Sequence, residues 1–106
     1  MTRDLQTILC ELRKQLQDLY GDRLVALILY GSQARGDPTP DSDIDVLVVL
    51  RGHVDSGEEI ERTGWGVSDL SLNCDRVISL VFMDEERYRT RNGPFLRNVR
   101  REGMPQ

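Results

Sequence analysis

The sequence predicts an α/β (α+β) domain in which helices flank a small mixed sheet of three or four strands. Short apolar runs at residues 24–30, 43–50 and 76–83 are typical of strands that a sheet buries. Amphipathic or capped segments lie before, between and after these runs, and their spacing favours helices. The 106 residues are 39% hydrophobic and 30% charged, which is ordinary for a globular protein. We therefore expect one domain spanning residues 1–106.

The first helix is predicted over residues 2–20, with Thr2 as its N-cap and Gly21 just past its end. One face of this helix carries an apolar stripe formed by Leu5, Ile8, Leu9, Leu12, Leu16 and Leu19. The first strand follows at residues 24–30 and breaks at Gly31-Ser32. Residues 33–35 suit a short helical turn, and residues 36–42 are rich in loop formers.

The second strand is predicted over residues 43–50, with Asp43, Asp45, Leu47 and Val49 sharing one face. Both faces are apolar after Asp45, which indicates a central strand. If the Gly-Ser turn and the two aspartates meet at one site, the first two strands run antiparallel as neighbours.

A second long helix is predicted from Ser56 to about Cys74, opened by a capping box of Ser56 and Glu59. Its expected buried stripe consists of Ile60, Val67, Leu70 and Cys74. Gly64-Trp65-Gly66 in its middle indicates either a break or a close packing contact, and Trp65 is expected to pack, to form an interface or to stack on a base.

The third strand is predicted over residues 76–83 and places Ser79 on the same face as Val77, Val81 and Met83. Residues 84–90 suit a short helix with acidic residues at its start. Phe95, Leu96 and Val99 mark a last helical segment. The complete predicted order is helix, strand, short helix, strand, helix, strand, helix, helix.

The net charge of −4 is unevenly distributed. Residues 1–75 hold 7 basic and 14 acidic residues, whereas residues 76–106 hold 7 basic and 4 acidic residues. An acidic body argues against direct nucleic-acid binding. No apolar run approaches the roughly 18 residues of a membrane span, and the two cysteines form no CxxC pair. We expect a cytoplasmic protein without membrane contact.

Asp43 and Asp45 stand one residue apart on one strand face, where two ionised carboxylates repel each other unless water or a cation separates them. Their hard oxygen ligands suit Mg²⁺ or Mn²⁺, whose coordination shell substrate phosphates often complete. Gly31 permits a close backbone approach to a ligand, and Ser32 adds a hydroxyl donor. Arg35 could bind a phosphate or be solvated. A P-loop is excluded because Asp37-Pro38 stands where lysine and Ser/Thr are required.

Gly31-Ser32, ten residues and then Asp43-Ile44-Asp45 resembles the G-S-x10-D-x-D signature of the nucleotidyltransferase fold shared with DNA polymerase β. The chain looks like the minimal nucleotidyltransferase (MNT) group along nearly its whole length. The resemblance implies that Gly31 and Ser32 bind a nucleoside triphosphate, ATP or another, and that Asp43 and Asp45 are catalytic ligands of two Mg²⁺ ions.

The resemblance also implies transfer of a nucleoside monophosphate, AMP from ATP, to a hydroxyl, such as a tyrosine of a HEPN-type toxin partner. Active members of the group carry a third carboxylate on the next strand, and that position falls on Ser79. An alternative function is therefore a weak or inactive nucleotide-binding antitoxin that neutralises its partner by binding. Formation of a homo-oligomer is also possible.

Overall fold

The computed structural model describes residues 4–36 and 43–106. The predicted N-cap Thr2 and most of the predicted loop, residues 37–42, lie outside the described residues. Nine α-helices and β-strands follow in order in this part of the chain: α1 (Leu5–Tyr20), β1 (Leu24–Tyr30), α2 (Ser32–Arg35), β2 (Ile44–Leu50), α3 (Ser56–Cys74), β3 (Ile78–Asp84), α4 (Glu85–Thr90), α5 (Pro94–Glu102) and β4 (Met104–Pro105). A short 3-10 helix (Gly21–Arg23) joins α1 to β1. Both the fold class and the predicted order of elements are confirmed. The short strand β4 was not predicted.

The strands form one mixed sheet in the order β3-β2-β1-β4. As predicted, β1 and β2 are antiparallel neighbours, with Tyr30 opposite Asp45. β3 runs parallel to β2, and β4 pairs antiparallel with the outer edge of β1. β2 is therefore central, which explains why its apolar side chains are fully buried on both faces.

Alternation along β2 divides the apolar core into two halves. Ile44, Val46, Val48 and Leu50 pack with α1 and α3 on one face of the sheet. Leu47 and Val49 pack on the other face with Leu96 and Val99 of α5. Asp45 shares this second face, so α5 covers the side of the sheet on which the candidate site lies.

The N-cap of α1 is Asp4 and not the predicted Thr2, and the Asp4 carboxylate accepts the Thr7 amide at 2.8 Å. In the same way, Asp55 is the N-cap of α3 and accepts the Glu58 amide at 3.1 Å. The predicted capping box of Ser56 and Glu59 is therefore wrong. An aspartate one position earlier satisfies the helix amides, because its short carboxylate bonds the amide three residues on.

Glu59 faces the core of the protein instead. It is 2% exposed and accepts the Tyr20 hydroxyl at 2.7 Å and the Arg62 guanidinium at 2.9 Å. Ile60, predicted to be buried, is 56% exposed because Glu59 and Thr63 occupy the inner face of α3 in its place. This buried hydrogen-bonded group joins α3 to the end of α1.

Residues 64–66 continue α3 without a break. Gly66 makes the close packing contact, since a β-carbon there would lie 2.6 Å from the Gln15 side-chain oxygen on α1. Trp65 is 91% exposed and does not pack against the described residues. Because α3 covers the face of the sheet opposite Asp45, Trp65 is not placed to stack on a base beside Asp45. No helix in the described part of the chain is long and apolar enough to span a membrane.

Candidate active site

The turn after β1 brings Gly31 against the carboxylate of Asp45. Gly31 has φ 77° and ψ −158°, a conformation that essentially only glycine adopts. A β-carbon at this position would lie 2.6 Å from Asp45 Oδ2. Glycine is required here both by the backbone conformation and by the closeness of the carboxylate.

The two aspartates differ in their surroundings. Asp43 is exposed and immediately precedes β2, whereas Asp45 lies within the strand and is partly buried. Burial raises the pKa of the Asp45 carboxyl, and the negative charge of Asp43 raises it further. The positive charge of Arg35 acts in the opposite direction on the same pKa. The two carboxylates therefore repel each other, and the charge of Arg35 offsets part of this repulsion.

The short helix α2 carries the predicted Ser32 and Arg35. The amides of Ala34 and Arg35 both donate to the Gly31 carbonyl at 3.1 Å, and Gly36 ends the helix in the left-handed conformation. Ser32 is the first residue of α2 and is partly buried. The structure thus places Ser32 directly after the glycine that contacts Asp45.

The Arg35 side chain contacts the end of α5 and is not simply solvated. Its Nη1 lies 3.4 Å from Glu102 Oε2, and its side chain remains 45% exposed. The Arg35 charge also acts on Asp45, so the guanidinium belongs to the electrostatic surroundings of the site. An ion pair between α2 and α5 was not predicted.

Ser79 is the β3 residue paired with Asp45 in the parallel register. Ser79 therefore lies on the strand beside Asp45, where the resemblance expects the third carboxylate. At this position a hydroxyl can donate or accept a hydrogen bond but cannot act as a general base at neutral pH. Among the described residues, no group of three or more His, Cys, Asp or Glu side chains is arranged to hold a metal. Asp43 and Asp45 form the acidic pair without a third acidic partner in that part of the chain.

Tyr30 and Phe95 also border the site, although neither was predicted to belong to it. Tyr30 lies opposite Asp45, and its ring meets Phe95 edge to face with centroids 5.3 Å apart. Burial raises the Tyr30 pKa, and the charge of Asp45 adds to this effect. The sequence does indicate that Tyr30 lies near the site, because Tyr30 directly precedes the Gly-Ser turn. Phe95 has no comparable local signal, because the contact joins residues far apart in the chain.

Comparison with known proteins agrees with this geometry. A family model described as a nucleotidyltransferase domain matches residues 9–103. Two relatives from Methanocaldococcus jannaschii carry the name "Putative protein adenylyltransferase". The first is 39% identical over 89 residues, which cover 83% of each chain. The second is 41% identical over 74 residues, which cover 70% of this chain and 74% of the relative.

Solved structures share the fold at lower sequence identity. A toxin–antitoxin crystal structure with AMP-PNP superimposes with a TM-score of 0.66 at 23% identity, covering 91% of this chain and 69% of the other. A tri-AMPylated HEPN toxin of Shewanella oneidensis in complex with its MNT antitoxin gives a TM-score of 0.63 at 21% identity. That match covers 94% of this chain and 69% of the other.

Proposed function

The chain belongs to the nucleotidyltransferase domain family, and from this premise we propose that it transfers AMP from ATP to a hydroxyl group in a Mg²⁺-dependent reaction. The observation that carries the proposal is the contact between the Gly31 turn and the Asp45 carboxylate. Gly31 and the acidic pair lie at one end of two neighbouring strands, which supports a site for a phosphate and a cation. A triphosphate and its cation need these two features side by side.

The residues present fit a divalent cation. Asp43 and Asp45 offer hard oxygen ligands, and burial together with the charge of Asp43 raises the pKa of Asp45. Two carboxylates leave coordination positions for water and for phosphate oxygens, which suits Mg²⁺ and also Mn²⁺. When bound, Mg²⁺ supplies charge neutralisation for the triphosphate. The family resemblance favours two such ions.

The remaining roles follow from position. Gly31 has no side chain, which lets a phosphate approach the main chain of the turn closely. The Ser32 hydroxyl donates to a phosphate oxygen, and Arg35 offsets phosphate charge. Ser79 leaves the paired position beside Asp45 without a carboxylate base. The acceptor oxygen bonds to the α-phosphorus of ATP as the bond to the departing pyrophosphate breaks. The acceptor hydroxyl loses its proton to water or to a group on the acceptor protein.

We further propose that the acceptor is a protein hydroxyl, a tyrosine of a HEPN-type toxin, so that the chain acts as an antitoxin. Two relatives are named as protein adenylyltransferases. Two solved structures with this fold are toxin–antitoxin complexes, one with AMP-PNP and one with an AMPylated HEPN toxin.

A second candidate function is neutralisation of the toxin by binding alone, with a nucleotide site that is weak or inactive. The serine at position 79 favours this alternative, because removal of a general base typically costs about 10²- to 10⁴-fold in rate. The intact Gly31, Ser32, Asp43 and Asp45 favour the enzyme.

The deciding experiment incubates the purified chain with labelled ATP, Mg²⁺ and the product of the neighbouring gene. Label transfer that is lost in Asp43→Ala and Asp45→Ala supports the enzyme. Asp18→Ala is the matched control, because Asp18 is an exposed aspartate on α1, which packs against the opposite face of the sheet. Tight binding without transfer, equal in all four proteins, would support the binding alternative.

The Ser79→Asp variant tests the role of the missing carboxylate. Because position 79 pairs with Asp45, the new carboxylate joins the same face of the sheet. We expect faster label transfer in this variant than in the wild type, by about tenfold or more. An unchanged rate would show that the acceptor is deprotonated without help from position 79.

A further inference from the structure

The junction between α5 and β4 is fixed beside the candidate site. β4 pairs Met104 with Leu29, so the residues just before it reach the level of Tyr30 and Gly31. Gly103 packs so tightly that a β-carbon would lie 2.6 Å from Ile28 Cγ2 on β1. Glu102, the last residue of α5, is therefore held near the Gly-Ser turn by Gly103 and Met104, which follow it.

The carboxylate of Glu102 lies between two guanidinium groups. Its Oε2 is 3.4 Å from Arg35 Nη1, and its Oε1 is 3.6 Å from Arg101 Nη2. The Glu102 side chain is 24% exposed, whereas Arg35 is 45% and Arg101 is 71% exposed. Glu102 is thus the least exposed of the three side chains. Together the two arginines and the glutamate carry a net positive charge.

We propose that Glu102 is a positioning residue that holds the Arg35 guanidinium beside the bound triphosphate. This inference rests on the proposed nucleotide binding and adds a specific residue to it. Glu102 touches neither nucleotide nor cation in this proposal, and it acts only through Arg35.

The physical argument concerns conformational freedom. Arg35 stands at the end of a four-residue helix, and a free arginine side chain loses much rotamer entropy when it binds a ligand. The ion pair with Glu102 already restricts the rotamers of Arg35. This ion pair lies on the same side of the sheet as Asp45. Arg101 compensates the negative charge of Glu102, which limits its repulsion of a triphosphate.

The test measures the dissociation constant of ATP with Mg²⁺ by calorimetry in the wild type and in Glu102→Gln. We expect binding about threefold weaker in the variant, the size typical of a partly exposed ion pair. The turnover rate for transfer should stay unchanged at saturating ATP, while KM rises. Glu86→Gln on α4 is the control, because it removes one exposed negative charge from another surface.

A double-mutant cycle with Arg35→Gln separates positioning from a general structural effect. If Glu102 acts through Arg35, Glu102→Gln causes no further weakening in the Arg35→Gln background. Equal weakening in both backgrounds would overturn the inference, and so would unchanged or tighter ATP binding in the single Glu102→Gln variant. Failure of the wild type to bind ATP would instead refute the proposed function itself.

Discussion

Replacement of Gly31 by alanine tests the geometry on which the site depends. Gly31 adopts φ 77° and ψ −158°, and an L-residue held in such a conformation costs about 1–3 kcal/mol. The new β-carbon would also stand 2.6 Å from Asp45 Oδ2, so the carboxylate must move away. Overpacking of this kind costs about 1–3 kcal/mol more. We expect Gly31→Ala to lower the free energy of unfolding by about 3 kcal/mol.

Two other glycines separate the cost of the backbone conformation from the cost of the contact with Asp45. Gly36 has φ 79° but nothing within 4 Å of an added β-carbon, so Gly36→Ala should cost only about 1–2 kcal/mol for the backbone conformation. Gly64 lies inside α3 with open space around it, and Gly64→Ala should stabilise the protein by about 0.5–1 kcal/mol. Urea unfolding followed by far-ultraviolet circular dichroism measures all three variants.

The contact with Asp45 is isolated by a double-mutant cycle. In the Asp45→Ala background, the nearest remaining atom is the β-carbon of residue 45 at 3.6 Å, an ordinary contact. Gly31→Ala should then cost about 1–3 kcal/mol less than in the wild type. Equal costs for Gly31→Ala and Gly36→Ala, together with zero coupling to position 45, would refute the inferred contact.

Three further predictions concern charge and buried polar groups. Burial and the charge of Asp43 raise the Asp45 pKa, so ionisation of Asp45 destabilises the folded state. The free energy of unfolding of the wild type should therefore fall as the pH rises from the ordinary carboxyl pKa through the raised pKa. Asp45→Asn should therefore raise the melting temperature at pH 7 without metal and remove this pH dependence. Tyr20→Phe takes a donor from buried Glu59 and should cost about 1–3 kcal/mol in urea unfolding, and an unchanged midpoint would contradict this hydrogen bond. Ser79→Asp adds a carboxylate beside Asp45, so its melting temperature should fall without Mg²⁺ and recover more with Mg²⁺ than that of the wild type.

Local patterns in the sequence predicted most of the fold correctly. The apolar run at residues 24–30 became β1 with the same bounds, and alternation along β2 divided its side chains between two cores as expected. The antiparallel pairing of these strands followed from the requirement that Gly31 and Asp45 meet. These features depend on side-chain periodicity and on one glycine, and both are visible within a short stretch of sequence.

The features that escaped prediction depend on contacts between distant residues. Glu59 could serve equally well as a capping residue or as a partner of Tyr20, and 39 positions separate it from that partner. The pairing of β4 with β1 involves only two residues of β4, too few to show a strand pattern. Likewise, Arg35 meets Glu102 across 67 positions, so no local pattern indicates the ion pair.

The exposed position of Trp65 gives the protein a built-in optical reporter. It is the single tryptophan of the chain, 91% exposed on a helix that covers the face of the sheet opposite Asp45. Its fluorescence therefore starts from a largely hydrated indole, and we expect it to stay constant while nucleotide fills the site. A partner protein that covers α3 would remove water from the ring and shift the emission to shorter wavelengths. Docking on α3 can thus be followed in the unlabelled protein without interference from nucleotide binding.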